Sequence, residues 1–235
     1  MTNLTYQLLW YRITIEADDD LVAFLEDVPN RAVHGFEPHL EMRYRVTRRT
    51  EAVVLSDGFD RIASDASMTV VVDGLHTHVM RRLCEYACRC GWVRLRAACV
   101  DLDGERTLLV GPTGSGKTTE ARRVALAGGI VGGDEYSLVR AGESLPIPMV
   151  RRASGSTDRL DPTELGNRWQ ANLERVGVIT YLRGSPTAAR TLGRADRRLL
   201  LEPVLSETIR CVESPRRIVS EVVQLLGSAR LQVLG

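Results

Sequence analysis

The chain has 235 residues, of which 44% are hydrophobic and 26% are charged, and its formal net charge is +1. This composition is typical of a globular protein with one large domain or two small ones, and it argues against partners held by charge alone, such as nucleic acid or an anionic membrane. No apolar run approaches the roughly 20 residues that span a bilayer, and the acidic run at 18–20 does not fit a signal peptide. We therefore expect a cytoplasmic protein that binds neither nucleic acid nor membrane.

The first 92 residues predict a small α+β module built from short alternating elements. Turns are expected at Asp57-Gly58 and Asp73-Gly74. Between residues 40 and 46, arginines alternate with Met42 and Tyr44, which favours a strand with one solvated face; a docking surface for an acidic peptide or phosphate is the alternative. Strands are predicted at 8–15, 40–46, 52–55 and 68–72, and helices at 21–25 and 75–89.

The five cysteines are an odd number, which favours reduced thiols over a disulfide framework. Cys84 and Cys88 lie one turn apart on the apolar face of the predicted helix at 75–89, so we expect them to be small core residues. A metal site that also uses Cys90 and Cys99 is the alternative, but it lacks the two close-spaced pairs typical of zinc.

The next segment, RLRAACVDLDGERTLLVG at 94–111, predicts a β-hairpin that leads into a glycine-rich loop. Apolar residues run to Asp103-Gly104, a dipeptide preferred in type I′ turns, and a second strand at 106–110 enters the loop. Most phosphate-binding loops are instead entered from a parallel strand. The hairpin is therefore a selective feature of this chain.

The glycine-rich loop, GPTGSGKT at 111–118, fits the phosphate-binding pattern G-x-x-x-x-G-K-[ST]. Its glycines allow a tight turn around an anion, and its N–H groups, with the positive end of a helix expected to reach residue 127, can face a β-phosphate. Lys117 is expected to reach the β- and γ-phosphates, and the Thr118 hydroxyl to bind Mg²⁺. We therefore expect ATP and Mg²⁺ as cofactors. The expected nucleotide-binding residues are Gly111, Pro112, Thr113, Gly114, Ser115, Gly116, Lys117, Thr118 and Thr119.

Lysine usage supports the same site. The chain has 31 Lys and Arg residues, and Lys117 is its only lysine. This position keeps a compact ammonium on a flexible stem, whereas a planar guanidinium would fit the turn poorly.

Two acidic residues, Asp134 and Glu135, follow a short predicted strand at 129–131, and Asp134 lies 17 residues after Lys117. A carboxylate at a strand end can hold Mg²⁺, directly or through water, and can accept a proton from an attacking hydroxyl. Asp134 is the candidate base and Glu135 the metal partner, or the roles are exchanged. With Thr118 they form the candidate metal set, and an acidic surface turn is the alternative.

Residues 93–235 are expected to form an α/β catalytic domain. The polar segment at 151–162 is expected to be a mobile loop, from which Arg151, Arg152 or Arg159 could bring a cation to a transferring phosphoryl group. Strands are predicted at 136–140, 145–150, 178–182 and 230–233, and helices at 194–201 and 215–226.

The segment RLRAACVDLDGERTLLVGPTGSGKTTEARRVALAGGIVGGDEYSLV, which begins at residue 94, resembles the catalytic core of HPr kinase/phosphorylase and of its shorter HprK-type relatives in peptide-modification clusters. The resemblance covers about residues 94–150 and extends weakly to the C-terminal ARLQVLG. It implies an α/β P-loop fold of the HPr kinase/PEP carboxykinase-like type, preceded by the small α+β module. It also implies that the loop at 111–118 binds ATP and that Asp134 or Glu135 supplies the base.

The resemblance implies a kinase that transfers the γ-phosphate of ATP to a hydroxyl, foremost a serine of a peptide or protein, as in lasso-peptide precursors. The family often has a histidine where this chain has Arg96, which argues against a reverse phosphorylase activity. A small-molecule kinase acting on a sugar, cyclitol or amino acid is one alternative, and a nucleotide-binding regulatory module without transfer activity is another. A GTP switch is excluded because its N-K-x-D motif needs a second lysine. Homo-oligomer formation is left open.

Overall fold

The computed structural model describes residues 1–25, 36–147, 170–183, 192–209 and 214–234. These residues form a mixed α/β structure with three sheets and five α-helices. They divide into two compact units, one of residues 1–25 and 36–86 and one of the described residues from Ala87 onward. None of the helices in the described part of the chain is long and apolar enough to cross a membrane.

The first unit is a five-stranded sheet with strand order β1-β2-β3-β4-β5. Strands β2 and β3 are parallel, and the other neighbouring pairs are antiparallel. The elements are β1 (Thr2–Leu8), β2 (Tyr11–Ala17), α1 (Val22–Leu25), β3 (Leu40–Arg48), β4 (Val53–Ser56), β5 (Arg61–Asp65) and α2 (Met68–Arg89), which continues into the second unit.

Three expectations for this unit are wrong: the strand at 68–72, the turn at Asp73-Gly74 and the single strand at 8–15. Residues 68–72 belong to α2 and not to a strand, because Val71, Leu75 and Val79 are buried at four-residue intervals and extend the apolar face of the helix. Gly74 is therefore inside the helix, where an added Cβ would lie 2.8 Å from the Ala63 Cβ. The segment at 8–15 contains a hairpin turn at residues 9–10 and is not one strand.

The arginine-rich side of β3 is a solvated face, in line with the preferred interpretation. Met42 and Tyr44 are buried on the other side of the strand. On the exposed side, Arg43 pairs with Glu41 at 2.9 Å and Arg45 pairs with Glu16 at 2.7 Å. These arginines are already neutralised within the unit.

The second unit contains a six-stranded sheet of order β14-β16-β13-β8-β7-β9 and a five-stranded sheet of order β12-β11-β10-β6-β15. Its strands are β6 (Val93–Leu95), β7 (Ala97–Leu102), β8 (Glu105–Val110), β9 (Ile130–Gly133), β10 (Ser137–Arg140), β11 (Glu143–Pro146), β12 (Glu174–Arg175), β13 (Val178–Leu182), β14 (Leu192–Arg194), β15 (Thr208–Ile209) and β16 (Arg230–Leu234). Its helices are α3 (Lys117–Leu126), α4 (Arg197–Ser206) and α5 (Pro215–Ser228), besides the end of α2.

Strand directions bring several chain segments to one edge of the six-stranded sheet. β13 is parallel to β8 and β16, while β7 is antiparallel to both β8 and β9. The carboxyl ends of β8 and β9 therefore lie at the same edge, together with the start of β7. The loop at 111–116 and the acids after β9 both follow these strand ends.

The six-stranded sheet is covered on both faces. Leu108 and Val110 pack with residues of α4 and α5, whereas Leu109 packs with Ala121 and Val124 of α3. This alternation along β8 is what a strand buried on both faces requires.

The predicted hairpin is confirmed, since β7 and β8 pair in register around Asp103 and Gly104, whose φ angles of 53° and 76° suit a type I′ turn. The helix predicted at 215–226 is also confirmed. Leu225 is buried in it, whereas Val219 and Val223 are 44% and 50% exposed. The buried apolar face of the helix consists of residues 218, 222, 225 and 226, so the two valines lie at its edge.

Of the described cysteines, Cys84, Cys88 and Cys99 are buried and Cys90 is exposed, and all four are free thiols. The end of the strand predicted at 145–150 and the arginines of the segment at 151–162 lie outside the described residues.

Candidate functional site

The glycine-rich loop forms a tight turn between β8 and α3. Gly114 and Gly116 have φ angles of 81° and 89°, in the left-handed region that favours glycine. A Cβ at Gly111 would lie 2.6 Å from the Leu182 carbonyl oxygen, so a side chain does not fit there. Because Gly116 is the N-cap of α3, no capping side chain covers the amides of the first helical turn. This end of the helix can therefore receive an anion.

Lys117 lies inside the loop and is only 9% exposed. Its Nζ donates to the carbonyl oxygens of Gly111 and Pro112, at 2.9 Å in the second case. Burial lowers the pKa of Lys117 below its usual value, and the largest opposing effect comes from the Glu207 carboxylate. A phosphate in the turn would give this ammonium a charged partner in place of two carbonyls.

The other expected nucleotide-binding residues follow the turn. Ser115 is buried, and its N–H donates to the Pro112 carbonyl at 3.1 Å. Residues 112–114 form the exposed tip of the loop, and Thr119 is exposed on the first turn of α3.

Asp134 meets Thr118 at the sheet edge. The Thr118 hydroxyl donates to Asp134 Oδ2 at 3.4 Å, although the two residues lie on different elements. Asp134 is 7% exposed, and its Oδ1 is buried without a hydrogen-bond partner among the described residues. Burial raises the pKa of Asp134 to about 7, with a further contribution from Glu135.

The Thr118–Asp134 pair fits a Mg²⁺ ion, because it offers a hydroxyl and a buried carboxylate oxygen, and Mg²⁺ takes oxygen ligands. Within the described ranges, no group of three or more His, Cys, Asp or Glu side chains is arranged to hold a metal ion. A Mg²⁺ ion held by one or two carboxylates together with phosphate oxygens does not need such a group.

Glu135 occupies a different environment from Asp134. It is less buried, and it interacts with the Tyr136 hydroxyl. Burial raises the pKa of Tyr136, and Glu135 raises it further. The Arg94 guanidinium lies over the Tyr136 ring, 5.0 Å from its centroid. Of the two acids, Asp134 is thus the one that contacts Thr118.

Two residues that were not among the predicted site residues lie beside the loop: Arg96 contacts it, and Glu207 is close enough for its charge to raise the pKa of Lys117. The Arg96 Nη1 donates to Thr113 Oγ1 at 3.1 Å, and the Arg96 backbone N–H donates to the Glu207 carbonyl at 2.8 Å. For Arg96, the signal in the sequence is its place just before the first hairpin strand. For Glu207 no local signal exists, because it reaches the site only through the fold of α4 and β15.

A scan against protein-family models gave no match to this chain, and a search of curated proteins gave none. The loop, its lysine and the acids at the sheet edge are therefore the features of the molecule that indicate a function.

Proposed function

We propose that the protein is an ATP-dependent kinase with a P-loop fold of the HPr kinase/PEP carboxykinase-like type, and that it transfers the γ-phosphate to a serine hydroxyl of a peptide or protein. The observation that carries the proposal is the contact between Thr118 and Asp134 beside the loop that contains Lys117. The resemblance of residues 94–150 to HPr kinase-type enzymes supports the serine acceptor.

Nucleotide binding is supported by the loop. The amides at the start of α3 and the helix dipole attract the β-phosphate. Lys117 can exchange its two carbonyl acceptors for β- and γ-phosphate oxygens, since its long stem lets the ammonium move by rotation about its own bonds. The buried ammonium then gains a charge-assisted hydrogen bond.

Thr118 Oγ1 and the Asp134 carboxylate would hold Mg²⁺. When bound, the ion neutralises charge on the β- and γ-phosphates. The orphan Oδ1 of Asp134 supports this role, since an anionic oxygen buried without a partner is costly unless a ligand satisfies it. The contact with Thr118 thus favours Asp134 as the metal carboxylate and leaves Glu135 as the base. The sequence had suggested Asp134 first as the base and Glu135 as the metal partner, with the exchange of these roles as the alternative.

In the transfer step, the acceptor hydroxyl oxygen forms a bond to the γ-phosphorus, and the bond from that phosphorus to the β–γ bridging oxygen breaks. ADP leaves with the electron pair of that bond, and the hydroxyl proton passes to a carboxylate. The protein contributes position and charge rather than covalent chemistry. Glu135 would take this proton; it follows the proposed metal carboxylate in the chain and is close enough for its charge to raise the pKa of Lys117, which supports the assignment.

Label transfer from γ-labelled ATP to a degenerate serine-peptide library tests the proposal. Glu135→Gln should reduce transfer by about 10² to 10⁴ and leave Mg²⁺-dependent ATP affinity within a few-fold. Asp134→Asn should instead weaken the Mg²⁺-dependent part of ATP binding, and Lys117→Ala should abolish binding. Glu202→Gln on the exposed side of α4 is the matched control and should behave as wild type.

The outcomes separate the alternatives. Transfer at the wild-type rate by Lys117→Ala would refute the site. If Asp134→Asn loses transfer but keeps metal-dependent binding, Asp134 is the base. Label on sugars, cyclitols or amino acids, but not on peptides, identifies a small-molecule kinase. ATP binding without any transfer or hydrolysis identifies a regulatory module.

A further inference from the structure

We propose that Arg96 contacts the terminal phosphate of the bound nucleotide and makes the site discriminate a nucleoside triphosphate from a diphosphate. The inference rests on the proposed function and extends it, because it assigns a second cation to the phosphate site. An arginine from the segment at 151–162 was expected to bring a cation to the transferring phosphoryl group. The inference gives that role to Arg96, which lies among the described residues.

The backbone of Arg96 is fixed at the edge where the phosphate loop begins. Ala97 is paired with Val110 in the β7–β8 hairpin, so Arg96 and Gly111 are the next residues of the two strands at that edge. The Arg96 N–H donates to the Glu207 carbonyl at 2.8 Å, and both sequence neighbours of Arg96 are fully buried. The side chain therefore starts from a rigid position beside the loop.

The Arg96 guanidinium reaches the loop without meeting an anion. Its Nη1 donates to Thr113 Oγ1 at 3.1 Å. Several arginines, such as Arg45, Arg106 and Arg230, form ion pairs with carboxylates. Among the described residues, Arg96 forms no ion pair with a carboxylate. A guanidinium has five N–H donors, and the bond to Thr113 uses one of them. Donors remain for a ligand.

Two cations thus hold adjacent parts of one short stretch of the loop. The Lys117 ammonium donates to the carbonyls of Gly111 and Pro112, and Arg96 donates to Thr113, the next residue. The two like charges repel each other, as the lowering of the Lys117 pKa by Arg96 indicates, and the attraction of both cations to a polyanion between them would outweigh that repulsion. The pair suits a ligand with several negative charges.

The position of Thr113 indicates which phosphate Arg96 meets. The amides at the start of α3 face the β-phosphate, and Lys117 bridges the β- and γ-phosphates. Arg96 meets the loop at Thr113, three residues before the Gly116 N-cap of α3, so this contact lies outside the helical turn whose amides face the β-phosphate, and we assign it to the γ-phosphate. A planar guanidinium there can bind two oxygens of the γ-phosphate, a group that ADP lacks.

The test measures nucleotide affinity by calorimetry, in the presence of Mg²⁺, with ADP and with a non-hydrolysable ATP analogue. Arg96→Ala should weaken binding of the analogue by about 10- to 100-fold, the equilibrium equivalent of one or two charge-assisted hydrogen bonds. ADP affinity should change less than about twofold. Arg96→Lys keeps the positive charge but loses the planar guanidinium that can bind two oxygens, so its affinity for the analogue should lie between those of the wild type and Arg96→Ala. Arg123→Ala is the matched control, because Arg123 is exposed on α3 and pairs with Glu120.

Equal weakening of both nucleotides by Arg96→Ala and by Arg96→Lys would overturn the inference, since Arg96 would then only shape the loop. No effect on either nucleotide would overturn it as well. In both cases the proposed function survives if Lys117→Ala abolishes binding of both nucleotides. If the wild-type protein binds neither nucleotide, the proposed function fails and the inference fails with it.

Discussion

Asp134 is destabilising in the ligand-free protein. Its carboxylate is buried, Oδ1 has no hydrogen-bond partner among the described residues, and the Thr118 hydroxyl donates to Oδ2 over a long 3.4 Å. Burial raises the pKa of Asp134 from 3.8 to about 7. Functional sites often hold groups in environments that suit a ligand and not the empty fold.

This environment gives a pH-dependent stability. Between pH 4 and pH 7 the folded protein binds more protons at Asp134 than the unfolded chain does. The free energy of unfolding therefore falls as the pH rises through this range, and it does not recover above pH 7. Asp134→Asn should therefore stabilise the metal-free protein at pH 8 by about 1–3 kcal/mol and have little effect at pH 4. Thermal unfolding in a chelator at both pH values measures this. Asp60→Asn, on an exposed turn, is the control, and a variant less stable than wild type at pH 8 would contradict the prediction.

Hairpin β7–β8 and strand β11 are joined by a buried side chain, Arg106. Its guanidinium pairs with Asp101 on β7, with Nη2 at 3.0 Å from Oδ2, and its Nη1 donates to the carbonyls of Ser144 on β11 and Asn172. The arginine is 2% exposed. One side chain therefore connects the six-stranded sheet to the five-stranded sheet.

Arg106→Met should destabilise the protein by about 3–5 kcal/mol, because it leaves the Asp101 carboxylate, which is only 12% exposed, without its partner. Adding Asp101→Leu should recover part of that loss, since the Asp101 carboxylate is then no longer left without its partner; Glu174, which lies 3.3 Å from Arg106 Nη2, is 44% exposed and keeps its contact with water. Arg230→Met is the matched control: its pair with Glu105 is 2.6 Å long but well exposed, so its loss should cost less than about 1 kcal/mol. Urea denaturation compares the three. Equal losses for Arg106→Met and Arg230→Met would contradict the prediction.

Local patterns predicted some elements well and misassigned others. Asp103-Gly104 specified its own turn, because both residues tolerate the positive φ that a type I′ turn needs. The β-branched run at 69–72 indicated a strand by propensity, yet only Val71 of this run is buried, on the apolar face that α2 continues through Leu75, and that helical periodicity overrides the preference. Gly74 shows the same effect, since it permits close packing against Ala63 and does not make a turn.

For the whole molecule, ligand binding should appear as stabilisation. A ligand that binds only the folded state adds about 2.7 kcal/mol when its concentration is 100 times its Kd. A non-hydrolysable ATP analogue with Mg²⁺ should therefore raise the melting temperature in a concentration-dependent way. The shift should be absent in Lys117→Ala, and scanning fluorimetry over a ligand series measures it. An equal shift in that variant would place the nucleotide elsewhere.

The sequence by itself determined the loop at 111–118, the hairpin before it and the helix after it. These features depend on glycine dihedral angles, turn chemistry and periodicity, which act within a few residues. Only the tertiary structure decided that Asp134 lies against Thr118 and that Arg96 reaches Thr113. These contacts depend on the order and direction of β7, β8 and β9 in one sheet. That order is set by the burial of apolar faces from distant parts of the chain, which no local pattern specifies.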